Sequence, residues 1–285
     1  MIPSSFEYFS PGSLEEALDL LSLHKEDVKL IAGGQSLLPL MKLRLAKPGC
    51  IIDLGRIPGL DAIAEQGDRI AIGALATHAK IEASALLKAR CPLLPQTAST
   101  IADVQVRNRG TLGGSLAHAD PAGDMPAAIL ALSAQMKAAG PSGERWIKAE
   151  DFFLGLMMTA LEADEIITEI KTPALKNVKT AYLKAAQRTS GFAVAGIAVC
   201  LKLDDDGVCS DIAVAVTGVG DKAYRAQNVE QALKGQKPEP GLIEQAAAGV
   251  TDGIEVIEDI NGSKSYRSHL ARVYTVRAIE TALKS

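Results

Sequence analysis

The residues able to do chemistry concentrate in two glycine-bearing segments. The first, Ala32-Gly33-Gly34-Gln35-Ser36-Leu37, follows the apolar run Val28 to Ala32 and leads into Ser36 to Leu45, which reads as a short helix with Pro39 in its first turn. A bend of this kind aims successive backbone N–H groups and a positive helix end at one point, where a phosphate can sit. Glycine matters there because a Cβ would hold pyrophosphate oxygens away from the backbone. A plain tight turn has the same appearance, and a lone Gly-Gly after a strand does not separate the two. Asp53 lies where a ribose-binding acid of a Rossmann unit belongs, yet the segment contains no G-x-G-x-x-G, which excludes that unit.

The second segment runs from Arg107 to Asp124 and combines Gly110, Gly113 and Gly114 with Thr111, Ser115, His118, Asp120 and Asp124. Thr111, Gly114 and Ser115 are suited to grip a diphosphate, and Asp120 or Asp124 a ribose or ribityl chain. The competing reading is a surface loop whose acids cap a helix, Asp124 above all. Two such segments about 80 residues apart, each at an element boundary, are explained economically by one dinucleotide. Ser115 and His118 form no hydrolytic set, because no acid is placed by sequence to orient the imidazole.

The elements that must position these segments follow from pattern. Ser13 with Glu15 and Glu16 has the form of a capping box, and Leu14, Ala17, Leu18 and Leu21 repeat at helical spacing, giving a helix over about 14–23. Strands are expected at Val28 to Ala32, Cys50 to Leu54 and Arg69 to Gly73, and a helix from Lys80 to about Lys88 that Pro92 and Pro95 interrupt. Val106 to Asp124 has little periodicity and reads as a long functional loop. An Ala-rich buried helix follows from Asp124 to Leu132, then strands at Gln135 to Ala139 and Glu165 to Lys171. Beyond Pro173 to Val178 the pattern changes to long strands, Ala181 to Gln187, Phe192 to Leu203 and Cys209 to Gly218, with a turn at Asp204 to Gly207. These form an antiparallel meander, and the helices Val229 to Lys234, Gly241 to Ala248 and Ser265 to Lys284 close the chain.

Composition bounds the function. In 285 residues, 47% are hydrophobic, enough for two or three small cores. The 30 Lys and Arg against 34 Asp and Glu leave a formal charge of −4 without a basic block, which excludes nucleic acid as an expected partner. The N-terminus carries no secretory pattern, and apolar runs such as Phe192 to Leu201 fall short of the ~18 residues a bilayer span needs, so a soluble cytoplasmic protein is expected. Cys50, Cys91, Cys200 and Cys209 lack metal-ligand spacing and read as buried reduced thiols, so any redox centre here is not built on cysteine.

At the two glycine segments the chain resembles the FAD-binding medium subunit of molybdenum hydroxylases, the carbon monoxide, nicotine and xanthine dehydrogenase class. Ala32 to Leu37 looks like that family's first flavin loop and Thr111 to Asp124 like its second, and the likeness extends from Phe6-Glu7-Tyr8-Phe9 through Thr159-Ala160-Leu161-Glu162 and Tyr182-Leu183-Lys184 to the helical tail. The resemblance implies an α+β fold: a two-subdomain FAD-binding domain of the vanillyl-alcohol-oxidase (PCMH) type over residues 1–177, with subdomains of about 1–55 and 56–177, and a C-terminal flavoprotein domain of antiparallel sheet and helices over 178–285. It implies that Ala32, Gly33, Gly34, Gln35, Ser36 and Leu37 surround the pyrophosphate. Thr111, Gly114, Ser115 and Ala117 would line the rest of the dinucleotide and Asp120 and Asp124 its polar chain. Ile101 would touch the adenosine part, and Leu161 and Lys184 would approach the flavin ring, where a lysine charge favours the anionic reduced flavin.

Gln35 stands where many relatives have His, and Ser190-Gly191-Phe192 where many have Gly-Asp-aromatic, so no acid contact is expected at that turn. Phe192 there either stacks near the flavin or faces the core. The FAD is expected to be noncovalent, with no catalytic residue and no metal in this chain. Expected partners are a large molybdopterin subunit and a small subunit with two [2Fe–2S] clusters, assembled as a dimer of heterotrimers that passes electrons through FAD to NAD, a quinone or another external acceptor. A self-contained FAD oxidase or reductase is the first alternative, although aromatics are only 4% of the chain to build its substrate pocket; a nonredox scaffold is the second.

Overall fold

Three sheets and one short hairpin carry the chain in a computed structural model that describes residues 2–285, leaving Met1 of the expected first domain outside. In the first sheet Cys50–Asp53 lies between Glu7–Phe9 and Val28–Ile31, all parallel. Cys50, Ile51 and Ile52 are buried, and the helix Leu14–His24 packs Ala17 and Leu21 in one cluster with Cys50 and Ile52. That helix starts where the sequence says: the Ser13 hydroxyl accepts from the Glu16 N–H at 3.1 Å, and the Glu16 carboxylate takes the Gly12 N–H at 2.8 Å.

The second sheet is antiparallel, in the order Ile63–Gln66, Arg69–Gly73, Ile166–Pro173, Gln135–Gly140, Gly143–Lys148. Its buried isoleucines Ile70, Ile72 and Ile170 meet a layer of short helices formed by residues 78–131. Here the structure departs from the sequence pattern. The expected 80–88 helix is two helices, His78–Ala83 and Ala85–Arg90, because Ser84 is extended and its hydroxyl caps the second. Pro92 and Pro95 do not end the helical region: Leu93–Ser99 is a helix with Pro95 in its first turn, where a missing N–H costs nothing.

The expected long loop from 106 to 124 is mostly helical, Val104–Arg109 and Leu112–His118, before the helix Asp124–Ala131. Asp103 and Thr111 cap the first two, and the Thr111 cap offsets the poor helix propensity of Gly113 and Gly114. The helix after Ser36 is shorter than expected, Leu37–Lys42.

The third sheet is the expected meander, Lys179–Ala186, Ala193–Leu203 and Cys209–Thr217, extended by Tyr224–Arg225. The first nine residues of Ala193–Leu203 are all buried, because both faces of the sheet are covered. Alternation sorts the side chains: Tyr182, Ala198, Cys200 and Ala215 face the core that contains the helix Asp124–Ala131, while Ala181, Ile197, Val199 and Val214 face Gln227–Leu233, Pro240–Ala247 and Lys264–Lys284. Among the described residues no helix is long and apolar enough to cross a membrane. All four cysteines are free and buried.

Candidate functional site

The two glycine segments, far apart in sequence, are walls of one cavity of about 620 Å³. Gly33 touches the second segment directly: the Arg109 carbonyl and the Gly110 Cα fill the space a Cβ on Gly33 would need. Gly34 has φ +72°, a left-handed conformation that turns the chain between Val28–Ile31 and Leu37–Lys42. Through this bend the N–H groups of Gly33, Gly34, Gln35, Ser36 and Leu37 make no hydrogen bond to any described residue. Five successive free donors on a cavity wall form a nest of positive dipoles suited to an anion as large as a pyrophosphate.

The second segment uses its glycines differently. Gly113 donates to the Ala74 carbonyl at 2.8 Å, and a Cβ there would meet Ala74; the Gly114 N–H goes to the Thr111 hydroxyl at 3.2 Å. Its glycines therefore serve close packing as well as lining the cavity beside Thr111, Ser115, Ala117 and Asp120. Asp120 accepts from the Ala122 N–H at 2.8 Å, while its other oxygen lies 4.0 Å from His118 Nε2. Asp53, set aside as a ribose acid, is occupied by the Tyr8 hydroxyl at 2.6 Å and the Gly55 N–H at 2.8 Å.

Asp124 does not cap the helix it begins; Gly123 is the capping residue. The carboxylate instead turns toward the third sheet, accepting from the Tyr182 hydroxyl at 2.5 Å and from the Lys184 ammonium at 2.9 Å. Burial pushes the Asp124 carboxyl up from its ordinary range, against the Lys184 charge and both donors, and pushes the Tyr182 phenol well up as well, with the Asp124 charge adding. The Thr217 hydroxyl sits between the carbonyls of Pro121 and Gly123, and the Gly218 N–H donates to Pro121 at 2.7 Å. The third sheet thus sets the position of the 120–124 wall.

Of the residues singled out in the sequence, Ala32 to Leu37, Ile101, Thr111, Gly114, Ser115, Ala117, Asp120, Asp124 and Leu161 line this cavity. Lys184 does not; its ammonium is spent on Asp124 and on the Gly191 carbonyl at 2.6 Å. Phe192 is 42% exposed and lines the cavity, which decides against a core-facing ring.

Sequence reasoning missed His78. It is 4% exposed, lines the cavity, and its Nδ1 has no hydrogen-bond partner among the described residues. Burial, with the Arg107 charge adding, pushes its pKa down to about 4, so the imidazole is neutral. Its only sequence signal was Thr77 as a helix cap placed ahead of it. Among the described residues no group of three or more His, Cys, Asp or Glu is arranged to hold a metal.

Comparison with known proteins places this geometry in context. Residues 4–175 match the family described as the FAD binding domain in molybdopterin dehydrogenase, and residues 180–282 the CO dehydrogenase flavoprotein C-terminal domain. The chain is 42% identical over 278 residues to the nicotine 6-hydroxylase medium subunit of Paenarthrobacter nicotinovorans, covering 98% of this chain and 97% of that one. It is 41% identical to the carbon monoxide dehydrogenase medium chain of Hydrogenophaga pseudoflava, over 99% and 98% of the two chains. Among solved structures it superposes on a chain of carbon monoxide dehydrogenase from Hydrogenophaga pseudoflava, lacking the Mo-pyranopterin moiety, with a TM-score of 0.97 at 42% identity, covering 100% and 99%. It superposes on a chain of quinoline 2-oxidoreductase from Pseudomonas putida 86 with 0.94 at 34% identity, again covering 100% and 99%.

Proposed function

This chain belongs to the family of FAD-binding medium subunits of molybdenum hydroxylases, and on that premise we propose how its own residues hold FAD and serve electron transfer. The observation that carries the proposal is the run of five unpartnered N–H groups, Gly33 to Leu37, on the wall of a cavity that both glycine segments share. Those groups hold the pyrophosphate, with the Gln35 and Ser36 side chains beside it. Thr111, Gly114, Ser115 and Ala117 line the path of the dinucleotide, Asp120 faces its polar chain with Asp124 in the wall behind it, Ile101 lies at its adenosine part, and Leu161 at its ring. Binding is noncovalent.

Bound FAD supplies the redox chemistry, accepting electrons singly from iron–sulfur clusters and releasing them in pairs. The protein contributes shape, fixed dipoles and exclusion of water. We place oxidation of the organic substrate in another chain, in keeping with the medium-subunit relatives, and assign the described residues of this chain to holding FAD.

The relatives named above are medium subunits of multi-subunit dehydrogenases. For this chain we propose a large molybdopterin subunit and a small subunit with two [2Fe–2S] clusters, joined as a dimer of heterotrimers in the cytoplasm, where free thiols such as these four stay reduced. Electrons then run from molybdenum through iron–sulfur to FAD and on to an external acceptor. We divide the chain at residues 1–177 and 178–285, which keeps the first two sheets in one domain, with subdomains of about 1–55 and 56–177, and the third sheet in the other.

An absorption spectrum of the purified chain, followed by acid precipitation, tests the reading. Flavin bands that leave the protein as free FAD are expected; a chain that is colourless and stays so with added FAD refutes it. Reduction of the flavin in the isolated chain by an organic hydroxylase substrate would instead establish a self-contained oxidase or reductase.

A further inference from the structure

We propose that His78 is a ligand-binding residue of the cavity: its imidazole Nε2–H supplies a side-chain donor to the diphosphate that the backbone run Gly33 to Leu37 holds. The inference deepens the reading of the cavity as the FAD site and rests on it.

The strap that carries His78 is laced to the second glycine segment. The His78 N–H donates to the Gly110 carbonyl at 2.9 Å, the Leu112 N–H to the Ala76 carbonyl at 2.9 Å, and Thr77 pairs with Thr111 between them. The Thr77 hydroxyl caps the helix His78–Ala83, so the imidazole leaves the first residue of that helix from a fixed backbone. Its ring lies against Gly110, where a Cβ would stand 2.9 Å from Cδ2 and 3.2 Å from Nε2. Gly110 also meets the first segment, since a Cβ on Gly33 would stand 2.8 Å from its Cα. One glycine thus adjoins both the Nε2 edge of the ring and the start of the donor run, and His78, Gly110 and Gly33 all line the cavity.

The two ring nitrogens differ. Nδ1 is sealed from solvent and has no hydrogen-bond partner among the described residues. Burial, with the Arg107 charge adding, holds the pKa at about 4, and a neutral imidazole carries a single N–H. On Nδ1 that proton would be a buried donor with nothing to accept it; on Nε2 it lies at the edge beside Gly110. Arg107 gives its own donors to the Glu82 carboxylate at 2.9 Å and the Ile101 carbonyl at 3.0 Å. An unpartnered buried ring costs the empty fold stability, and an anion accepting from Nε2–H explains why it is there.

The experiment uses the full chain labelled with 15N-histidine. In flavin-free protein at pH 7, NMR should show one of the four histidines, identified by its loss in His78→Phe, as the Nε2–H tautomer, with a resonance that shifts when FAD is added. Calorimetry then compares FAD with ADP, which shares the diphosphate and lacks the flavin. His78→Phe is expected to weaken both about tenfold or more, and His78→Gln, whose amide carries an N–H at a similar reach, to restore both to within about threefold. Urea unfolding of flavin-free His78→Phe should show a chain at least as stable as the wild type, because an orphan nitrogen has become carbon.

A proton on Nδ1 overturns the proposal, and so does unchanged ADP affinity in His78→Phe. A histidine kept for structure alone gives the reverse pair, lost stability with unchanged affinity. Should His78→Phe fail to fold, His78→Leu makes the same comparisons. A wild type that binds ADP but not FAD defeats the functional reading and leaves the His78 test standing; one that binds neither defeats both.

Discussion

The backbone carbonyl of Arg109 occupies the position a side chain on Gly33 would take. The two glycine segments are therefore in contact, and the first is glycine for the sake of the second as much as for any ligand. Gly33→Ala must push Arg109 and Gly110 away and disturb the donor run beside them. We expect a loss of roughly 2–4 kcal/mol in urea unfolding together with loss of FAD retention. Gly241→Ala is the control: nothing lies near its Cβ direction and it sits in the first turn of Pro240–Ala247, so it should be neutral or slightly stabilising. Equal effects of the two substitutions would show that the loop contact carries no weight.

His78 makes stability depend on mildly acidic pH. Its pKa falls from the usual 6.5 to about 4 in the fold, so between these values the unfolded chain binds a proton that the folded chain refuses. Stability from this residue is intact above pH 6.5 and is lost as pH falls toward 4, by about 3 kcal/mol in all. Thermal midpoints of the flavin-free chain between pH 7 and pH 4 should drop less steeply for His78→Gln than for the wild type. Parallel curves would mean that His78 binds its proton equally well in the folded and unfolded chain.

Tyr182 and Gly196 are coupled across neighbouring strands. A Cβ on Gly196 would stand 2.5 Å from the Tyr182 hydroxyl, the same hydroxyl that reaches Asp124 at 2.5 Å. Gly196→Ala should force that hydroxyl off the carboxylate and cost roughly 2–3 kcal/mol, whereas in a Tyr182→Phe background, with the hydroxyl gone, it should cost at least about 0.5 kcal/mol less. The double-mutant cycle by chemical denaturation reads this difference directly, and strict additivity would break the link between Gly196 and the Asp124 site.

What the sequence could show follows from range. The helix at Leu14–His24 and the meander from Lys179 to Thr217 were legible because cap residues and alternation are local signals. Leu112–His118 was not, since Gly113 and Gly114 look like loop residues until Ala74 is seen packed against them. Glu7–Phe9 was missed because three residues become a strand only by pairing with Cys50–Ile52. In the site, the glycines, hydroxyls and acids announced themselves by type. His78 did not, since a histidine at the start of a short helix reads as surface, and only the fold buries it. Lys184 was found by resemblance, but its pairing with Asp124 depends on a contact 60 residues away that no spacing encodes.

Arg267 carries the position of the cavity's 120–124 wall from the far side of the molecule. It is 1% exposed on the helix Lys264–Lys284, donates to the carbonyls of Val194 at 2.9 Å and Gly218 at 2.5 Å, and pairs with Asp259. Gly218 in turn donates to the Pro121 carbonyl, three residues before Asp124. Arg267→Met keeps much of the apolar stem but leaves two buried carbonyls without their donor, so a loss of roughly 3–5 kcal/mol is expected in urea unfolding. Because the released carbonyl belongs to the residue that holds Pro121, FAD should also dissociate faster from the variant at temperatures where it is still folded. Destabilisation with an unchanged FAD off-rate would confine Arg267 to the core of the third sheet and separate that core from the cavity wall.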